Sequence, residues 1–314
     1  MKIIRSLGEI KRDTNSVVTV GSFDGVHLAH REIIREVANR SRMREGRNVV
    51  ITFDPHPMEV VASPRNSSGL LSTIDERVAL LSTLNIDVLY IIDFTYEFSR
   101  SSPVEFYQTY VVNGIGVSEV VVGYDHMFGR DRQAGVEGLV RIGQQFNFSV
   151  FAVHPYMVNG ELVSSTEIRT ALLEGNLEKA KKLLGYSYGM KGTVVSGDGR
   201  GKTIGYPTAN IKPLSEKKII PARGVYFVSV QLMGKQYFGM MNIGIRPTVT
   251  DERVQMCEVH ILDFDNDIYG ENVSISFLRR LRDEQKFASM HELAKQLDND
   301  KEQSLKYIMD CVNK

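Results

Sequence analysis

The sequence has only two cysteines in 314 residues, Cys257 and Cys311. That is too few for a disulfide framework or a cysteine zinc cage, and it suits a reducing compartment. Neither sign of charge is in excess, with 38 Lys and Arg against 38 Asp and Glu. No overall field therefore draws the chain to nucleic acid or to an anionic membrane. No apolar run approaches the ~20 residues that a membrane-spanning helix needs. The first dozen residues carry Lys2, Arg5, Glu9, Lys11 and Arg12 with no apolar stretch between them, so no signal peptide is expected. The expectation is a soluble cytoplasmic protein that meets small molecules rather than nucleic acid or membrane. Its length predicts two domains, each with a sizeable core.

What is present begins at Val17. The β-branched run Val17–Val20 stops at Gly21 and reads as a buried strand. Gly21, Asp24 and Gly25 make a tight turn, and a helical pattern follows through Ile33, Ile34 and Val37. His27 and His30 are three apart, so they share a face in the helix's first turn. Free backbone N–H groups and the positive end of the helix dipole point the same way. The stretch is a candidate phosphate site in which two imidazoles stabilise charge on a transferring phosphoryl group. The rival is a metal site made by Asp24, His27 and His30, with His56 as a distant fourth ligand. It ranks lower, because no cysteines or second tight pair stand nearby.

Further strand patterns lie at Val49–Phe53, Val88–Ile92, Val120–Val122 and Val150–Val153, with helical patterns between most of them. Ser72 to Leu84 begins at a serine cap, and Ser102-Pro103-Val104-Glu105 is a capping box with proline at the first helical position. This alternation predicts a parallel α/β sheet of Rossmann type, with ligands beyond the carboxyl ends of the strands. Gly21–His30 and Asp54–Pro57 both follow strand ends and are expected to converge. Ser63 to Gly69 reads as a polar loop. Ser164 and Glu167 form another capping box, which opens a helix with Ile168 and Leu172 inward and leaves Arg169 for a phosphate. Leu184-Gly185 is a helix end.

The composition shifts after residue 186. Short β runs at Gly192–Val195, Gly224–Val230, Tyr237–Ile243, Val254–Leu262 and Val273–Phe277 predict a small antiparallel barrel. A last helix opens at Ser289-Met290-His291-Glu292 and is expected to bury Leu293, Leu297, Leu305 and Ile308. The glycines of Gly197-Asp198-Gly199-Arg200-Gly201-Lys202-Thr203 are one residue too close for a Walker A loop, and Ile204-Gly205-Tyr206-Pro207 cannot start the helix that such a loop requires. A turn whose N–H groups wrap phosphates survives. In Pro207-Thr208-Ala209-Asn210, Thr208 and Asn210 alternate on an extended segment, so both oxygens face one side as for magnesium on ATP. Glu258, His260 and Leu262 are expected on one face of their strand.

GSFDGVHLAH, from Gly21 to His30, resembles the signature of the H-x-G-H nucleotidyltransferases. More specifically, it resembles that of bacterial bifunctional riboflavin kinase/FMN adenylyltransferases, the FAD synthetases. Phe53-Asp54-Pro55-His56-Pro57, Gly123–Gly129, Ser164–Arg169, Pro207–Asn210, Asn242–Thr248, Glu258–Asp263 and Phe277–Arg280 with Lys286-Phe287 extend the likeness over nearly the whole chain. The resemblance implies a Rossmann-like nucleotidyltransferase domain, residues 1–186, and a riboflavin kinase β-barrel with a C-terminal helix, residues 187–314. In the first, ATP would meet Gly21, Phe23, Asp24, Gly25, Ser165 and Thr166. His27, His30 and Arg169 would serve catalysis, with FMN near Asp54, His56, Asp125 and Phe128. In the second, Gly197, Gly199, Gly201 and Lys202 would hold ATP, and Thr208 and Asn210 its Mg2+. Glu258 would be the base for riboflavin, with Arg246 and Arg279 near the flavin. Ala29, His126 and Glu167 depart from the family's pattern. Two alternatives follow: a riboflavin kinase with a weakened first domain, or a flavin- or nucleotide-binding protein without turnover.

Overall fold

The structure is a computed structural model that describes residues 1–61, 69–124, 135–197, 201, 204–247 and 253–312; the side chains of 246, 247, 253, 254 and 310–312 also lie outside it. The chain divides into two compact units, Met1–Ser165 and Thr166–Lys314.

The first unit is a six-stranded parallel sheet. Its strands are β1 (Lys2–Ile4), β2 (Val17–Val20), β3 (Asn48–Asp54), β4 (Val88–Asp93), β5 (Glu119–Gly123) and β6 (Ser149–Val153), in the order β1-β4-β3-β2-β5-β6. The helices between them are α1 (Leu28–Met43), α2 (Pro57–Val61), α3 (Ile74–Ser82), α4 (Tyr96–Ser99), α5 (Pro103–Phe106) and α6 (Val136–Phe146), with a π-helical stretch at Tyr107–Ile115. Side chains along the strands alternate between two cores. Val18, Val20, Val49, Ile51, Val88 and Tyr90 pack with the π-helical stretch and α6. Val50, Leu89 and Ile91 pack with α1 and α3 through Ile34 and Leu81. Both faces are therefore covered, as parallel sheets require. The order reverses at β2, which has β3 on one side and β5 on the other. A crevice at the carboxyl end of such a reversal is where doubly wound sheets bind ligands.

One strand is added to the expected set, and one expectation for this unit changes in detail. The edge strand β1 has no periodic signal of its own in the charged first residues; it gains its ladder from β4. Ser72 does not cap α3. Thr73 does, in a capping box with Glu76, and Ser72 is used elsewhere. The Ser102–Glu105 capping box forms as expected, with Pro103 opening α5. The polar loop expected at Ser63–Gly69 lies, except for Gly69, outside the described residues.

After a short hairpin, β7 (Met157–Val158) and β8 (Glu161–Leu162), come α7 (Ser165–Leu173) and α8 (Leu177–Leu184). Ile168 and Leu172 of α7 are fully buried, and Gly185 closes α8 in the left-handed region at φ 80°. The second unit then forms a closed antiparallel barrel from β9 (Gly189–Val195), β10 (Ala209–Pro213), β11 (Gly224–Leu232), β12 (Lys235–Pro247), β13 (Arg253–Ile261) and β14 (Asn272–Arg282), followed by α9 (Met290–Val312). Alternate residues are buried, such as Met190 and Val194 on β9, Cys257 and Val259 on β13, and Val273, Ile275 and Phe277 on β14.

One strand exceeds expectation. The extended segment that carries Asn210 is β10, and it closes the barrel between β9 and β13. Leu262 lies past the end of β13 and is buried, so it does not continue the face of Glu258 and His260. On α9, Leu305 is 37% exposed, and among the described residues the fully buried positions are Asp300 and Ser304. Ser289 Oγ accepts the Glu292 N–H at 3.2 Å, while the Glu292 carboxylate takes the Ala288 N–H.

Candidate functional site

In the first unit, β2 delivers the chain to a turn that β-branched sequence would not adopt by itself. Phe23, Gly25 and Val26 all have positive φ, at 47°, 77° and 37°. A left-handed β-branched residue costs on the order of 1–3 kcal/mol and persists only where its surroundings over-determine it. They do so here. Val26 is fully buried, its N–H donates to Phe23 O at 3.0 Å, and its carbonyl accepts from Arg31 Nε at 3.1 Å. A Cβ on Gly21 would stand 3.2 Å from the Phe23 ring, so glycine lets that ring lie against the turn.

His27 is the N-cap of α1 rather than a residue inside it, and its Nδ1 accepts the His30 N–H at 3.3 Å. An accepting Nδ1 leaves Nε2 as the protonated nitrogen. The two imidazoles stack with centroids 3.6 Å apart at 15°, and Phe23 meets His30 edge-on at 5.1 Å. The expected shared face is thus a stacked pair at the positive end of α1.

Asp24 faces inward. It is 1% exposed, and its carboxylate accepts Leu71 N–H at 3.0 Å, Ser72 N–H at 2.8 Å and Ser72 Oγ–H at 3.0 Å. Its carbonyl accepts from Ser165 Oγ at 3.2 Å. This geometry argues against the metal-site rival, because the Asp24 oxygens are engaged by the loop before α3. Among the described residues no group of three or more His, Cys, Asp or Glu is placed to hold a metal ion.

The second turn is the exit of β3. The Asp54–Pro55 peptide is cis. Asp54 lies 3.2 Å from Arg5. His56 is buried; its Nδ1 accepts the Met58 N–H at 3.1 Å and its own N–H goes to Glu59. Behind this exit lies Arg77, 1% exposed. Burial pushes its guanidinium pKa down, and the charges of Asp24, Asp54 and Glu59 push it back up. The first turn is tied to the end of β3 that leads into this exit, since Gly21 N–H donates to Ile51 O at 3.1 Å and Thr52 Oγ1 donates to Ser22 O at 3.1 Å. Asp125 and Phe128, with the departure at His126, lie outside the described residues.

On α7, which begins at Ser165, Thr166 is exposed and Arg169 is buried. The carboxylate of Glu167 lies 2.9 Å from Lys179 Nζ on α8, so the acidic departure comes with its own counter-charge.

The barrel unit brings its predicted residues into one row. Asn210 on β10 stands opposite Glu258 on β13, and Glu258 stands opposite Asn242 on β12. Directly opposed side chains lie about 5 Å apart at Cβ. The glycine turn closes on this row. A Cβ on Gly197 would fall 1.8 Å from Asn210 Nδ2, and one on Gly201 would fall 2.1 Å from Tyr206 O and 3.4 Å from Thr208 Oγ1. At position 201 the clash would be with backbone, so only glycine fits there. His260 Nδ1 lies 2.8 Å from Pro207 O, fixing the residue before Thr208, and Tyr206 packs edge-on at 5.0 Å. Burial lowers the His260 pKa; the Pro207 contact opposes that shift and Lys301 adds to it. Beside Glu258, burial pushes the Cys257 thiol up to about 12, so it is no nucleophile at neutral pH.

Thr208 and Asn210 offer side-chain oxygens beside Gly201 and Gly197, with Glu258 opposite Asn210. That set fits a hard cation which keeps several other ligands, as Mg2+ on a nucleotide does. Arg279 on β14 stacks on Tyr307 at 4.4 Å and lies 3.6 Å from Glu178. Arg246 pairs through its backbone with Val254, but its side chain, like all of Gly199 and Lys202, lies outside the described residues.

The family model described as FAD synthetase matches residues 9–167, and the one described as riboflavin kinase matches residues 184–308. A bifunctional riboflavin kinase/FMN adenylyltransferase of Listeria monocytogenes is 38% identical over 290 residues, covering 92% of this chain and 91% of its own. The Bacillus subtilis protein of the same name is 32% identical over 312 residues, covering 95% and 94%. The chain belongs to the bifunctional riboflavin kinase/FMN adenylyltransferase family. A crystal structure from Streptococcus pneumoniae, described as a macrolide-efflux protein, aligns with a TM-score of 0.85 at 36% identity over 96% of this chain and 97% of that one. Among the described residues no helix is long and apolar enough to cross a membrane.

Within this family member, two side chains that the sequence did not single out, Arg77 and Glu59, shape the first site together with Ser72, which was expected only as a helix cap. Ser72 and Arg77 have partners distant in sequence, Gly25 at a separation of 47 and Phe53 at a separation of 24. The one available signal was an arginine on the apolar side of a short helix.

Proposed function

We propose that the chain runs two consecutive reactions at two sites, with the boundary between catalytic domains at residues 186/187. In the barrel, Glu258 takes the proton of the riboflavin 5′-hydroxyl as its oxygen attacks the γ-phosphorus of ATP, giving FMN and ADP. Gly197, Gly199, Gly201 and Lys202 hold the phosphates, and Arg246 and Arg279 flank the flavin. Thr208 and Asn210 would hold Mg2+, which when bound neutralises phosphate charge.

In the α/β domain, a phosphate oxygen of FMN attacks the α-phosphorus of a second ATP. The bond to the β-phosphate oxygen breaks, and FAD and pyrophosphate result. His27, His30 and Arg169 stabilise charge on the transferring and leaving phosphates. Gly21, Phe23, Asp24 and Gly25 shape the turn that receives ATP, with Ser165 and Thr166 at its phosphates. FMN lies near Asp54, His56, Asp125 and Phe128. No covalent intermediate is needed. The location that fits these substrates is the cytoplasm.

One observation carries this reading: each unit sets glycines beside its own candidate reactive side chains, Gly21 and Gly25 before the stacked His27–His30 pair in one and Gly197 against Asn210, opposite Glu258, in the other. The test is Glu258→Ala in the full chain. FMN formation should fall by at least about 100-fold, while FAD formation from supplied FMN, MgATP and pyrophosphatase continues at the parent rate. Loss of both together would refute separate sites. A parent that makes FMN but no FAD would leave a kinase with an inactive first domain.

A further inference from the structure

The segment Ser72–Arg77 carries none of the proposed chemistry, yet it holds both turns that do. Ser72 Oγ accepts the Gly25 N–H at 2.8 Å and donates to Asp24 Oδ1 at 3.0 Å. The Ser72 N–H reaches the same carboxylate at 2.8 Å. Five residues on, Arg77 Nη1 donates to Phe53 O at 2.9 Å and to Thr52 Oγ1 at 3.3 Å. Thr52 Oγ1 passes the link on to Ser22 O at 3.1 Å. One short segment thus ties the Gly21–His30 turn at Ser22 and again at Asp24–Gly25, and ties the β3 exit at Phe53. The capping box of Thr73 and Glu76 fixes the start of α3 between these ties.

Stability alone does not account for this choice of residues. An arginine this buried costs desolvation that an apolar side chain of like volume avoids. What the arrangement supplies is a fixed backbone at a turn that contains left-handed Phe23 and Val26. Misplacing reacting groups by about 1 Å can cost about 100-fold in rate, so a strained turn beside His27 and His30 needs external bracing.

We propose that Ser72 and Arg77 are positioning residues for adenylyl transfer, holding the glycine turn and the β3 exit in the geometry that sets His27 and His30 against the transferring phosphate. This rests on the reading of the first unit as an FMN adenylyltransferase. Neither residue touches substrate; each acts through backbone that does.

The test uses the full chain and follows FAD formation from FMN and MgATP with pyrophosphatase, with FMN formation from riboflavin as the internal control. Ser72→Ala and Thr52→Val each cut one tie without removing a buried charge. Both should lower kcat for FAD formation about tenfold or more with KM for ATP within about threefold of the parent, while FMN formation is unchanged. Arg77→Met should lose more, and Arg77→Lys, which keeps a donor there, should recover part of the loss. FAD formation within threefold of the parent in both Ser72→Ala and Thr52→Val would overturn the proposal, as would a rise in KM alone. If Arg77→Met does not fold, those two variants decide. A parent that forms no FAD at all would instead remove the reading beneath the proposal.

Discussion

Glu167 puts a negative charge on the first turn of the helix that carries Arg169, and taken by itself a carboxylate repels a polyphosphate. Its surroundings alter that argument, because Lys179 Nζ lies 2.9 Å from the carboxylate. The Glu167 and Lys179 side chains are 43% and 26% exposed, so the pair contributes little to stability, on the order of 0–1 kcal/mol. Its effect is local charge. Lys179→Ala should raise KM for ATP in FAD formation roughly two- to fivefold at low ionic strength, and the effect should shrink in ~0.5 M salt as screening sets in. Steady-state kinetics at two salt concentrations check this; an unchanged KM at low salt would mean that Glu167 is not near the nucleotide. At this scale the histidine pair is legible, since a spacing of three at a glycine turn is a local pattern. The inward turn of Asp24 is not, because Leu71 and Ser72 come to it across almost fifty residues of chain.

Among the elements, α9 departs furthest from its pattern. An apolar stripe through Leu305 predicts the buried face, but Asp300 and Ser304 occupy it. The cause lies on β14: Arg282 meets Asp300 through Nε at 3.0 Å and Nη2 at 2.8 Å, and Gln296 adds a bond to Asp300 at 2.9 Å. Two charged residues in separate elements leave no periodic trace, so sequence alone favours the leucine. Breaking a buried pair strands its partner and costs about 3–5 kcal/mol, whereas replacing both members with apolar groups is near neutral. Asp300→Ala should therefore lower the melting temperature of the barrel unit by roughly 10 °C, and Arg282→Met with Asp300→Leu should restore most of it. Calorimetry decides; equal melting of single and double variants would show that the helix is held by packing alone. β10 was missed for the opposite reason: it is too short and too rich in Asn and Pro to read as a strand, and its partners β9 and β13 make it one.

On the scale of the whole molecule, two architectures on one chain are legible because their periodicities differ. Strands alternate with helices before residue 186, and short strands follow one another after it. The strand order of the sheet and the closure of the barrel are not legible, since both are set by pairings between distant segments. Each unit has its own buried core, so a titration inside one should register in that unit's activity. His260 provides such a titration. Its pKa is lowered by burial and by Lys301, while Pro207 O and Asp263 favour the charged form and Tyr206 packs against the ring. A depressed folded pKa gives stability that is present above the unfolded value of about 6.5 and is lost as pH falls through the folded value. Between pH 7.5 and 5.5 the thermal inactivation midpoint of FMN formation should therefore drop. His260→Gln should flatten that drop, while the pH dependence of the FAD-forming midpoint should not change with the substitution. An equally steep drop in His260→Gln would place the acid sensitivity of the barrel on another group.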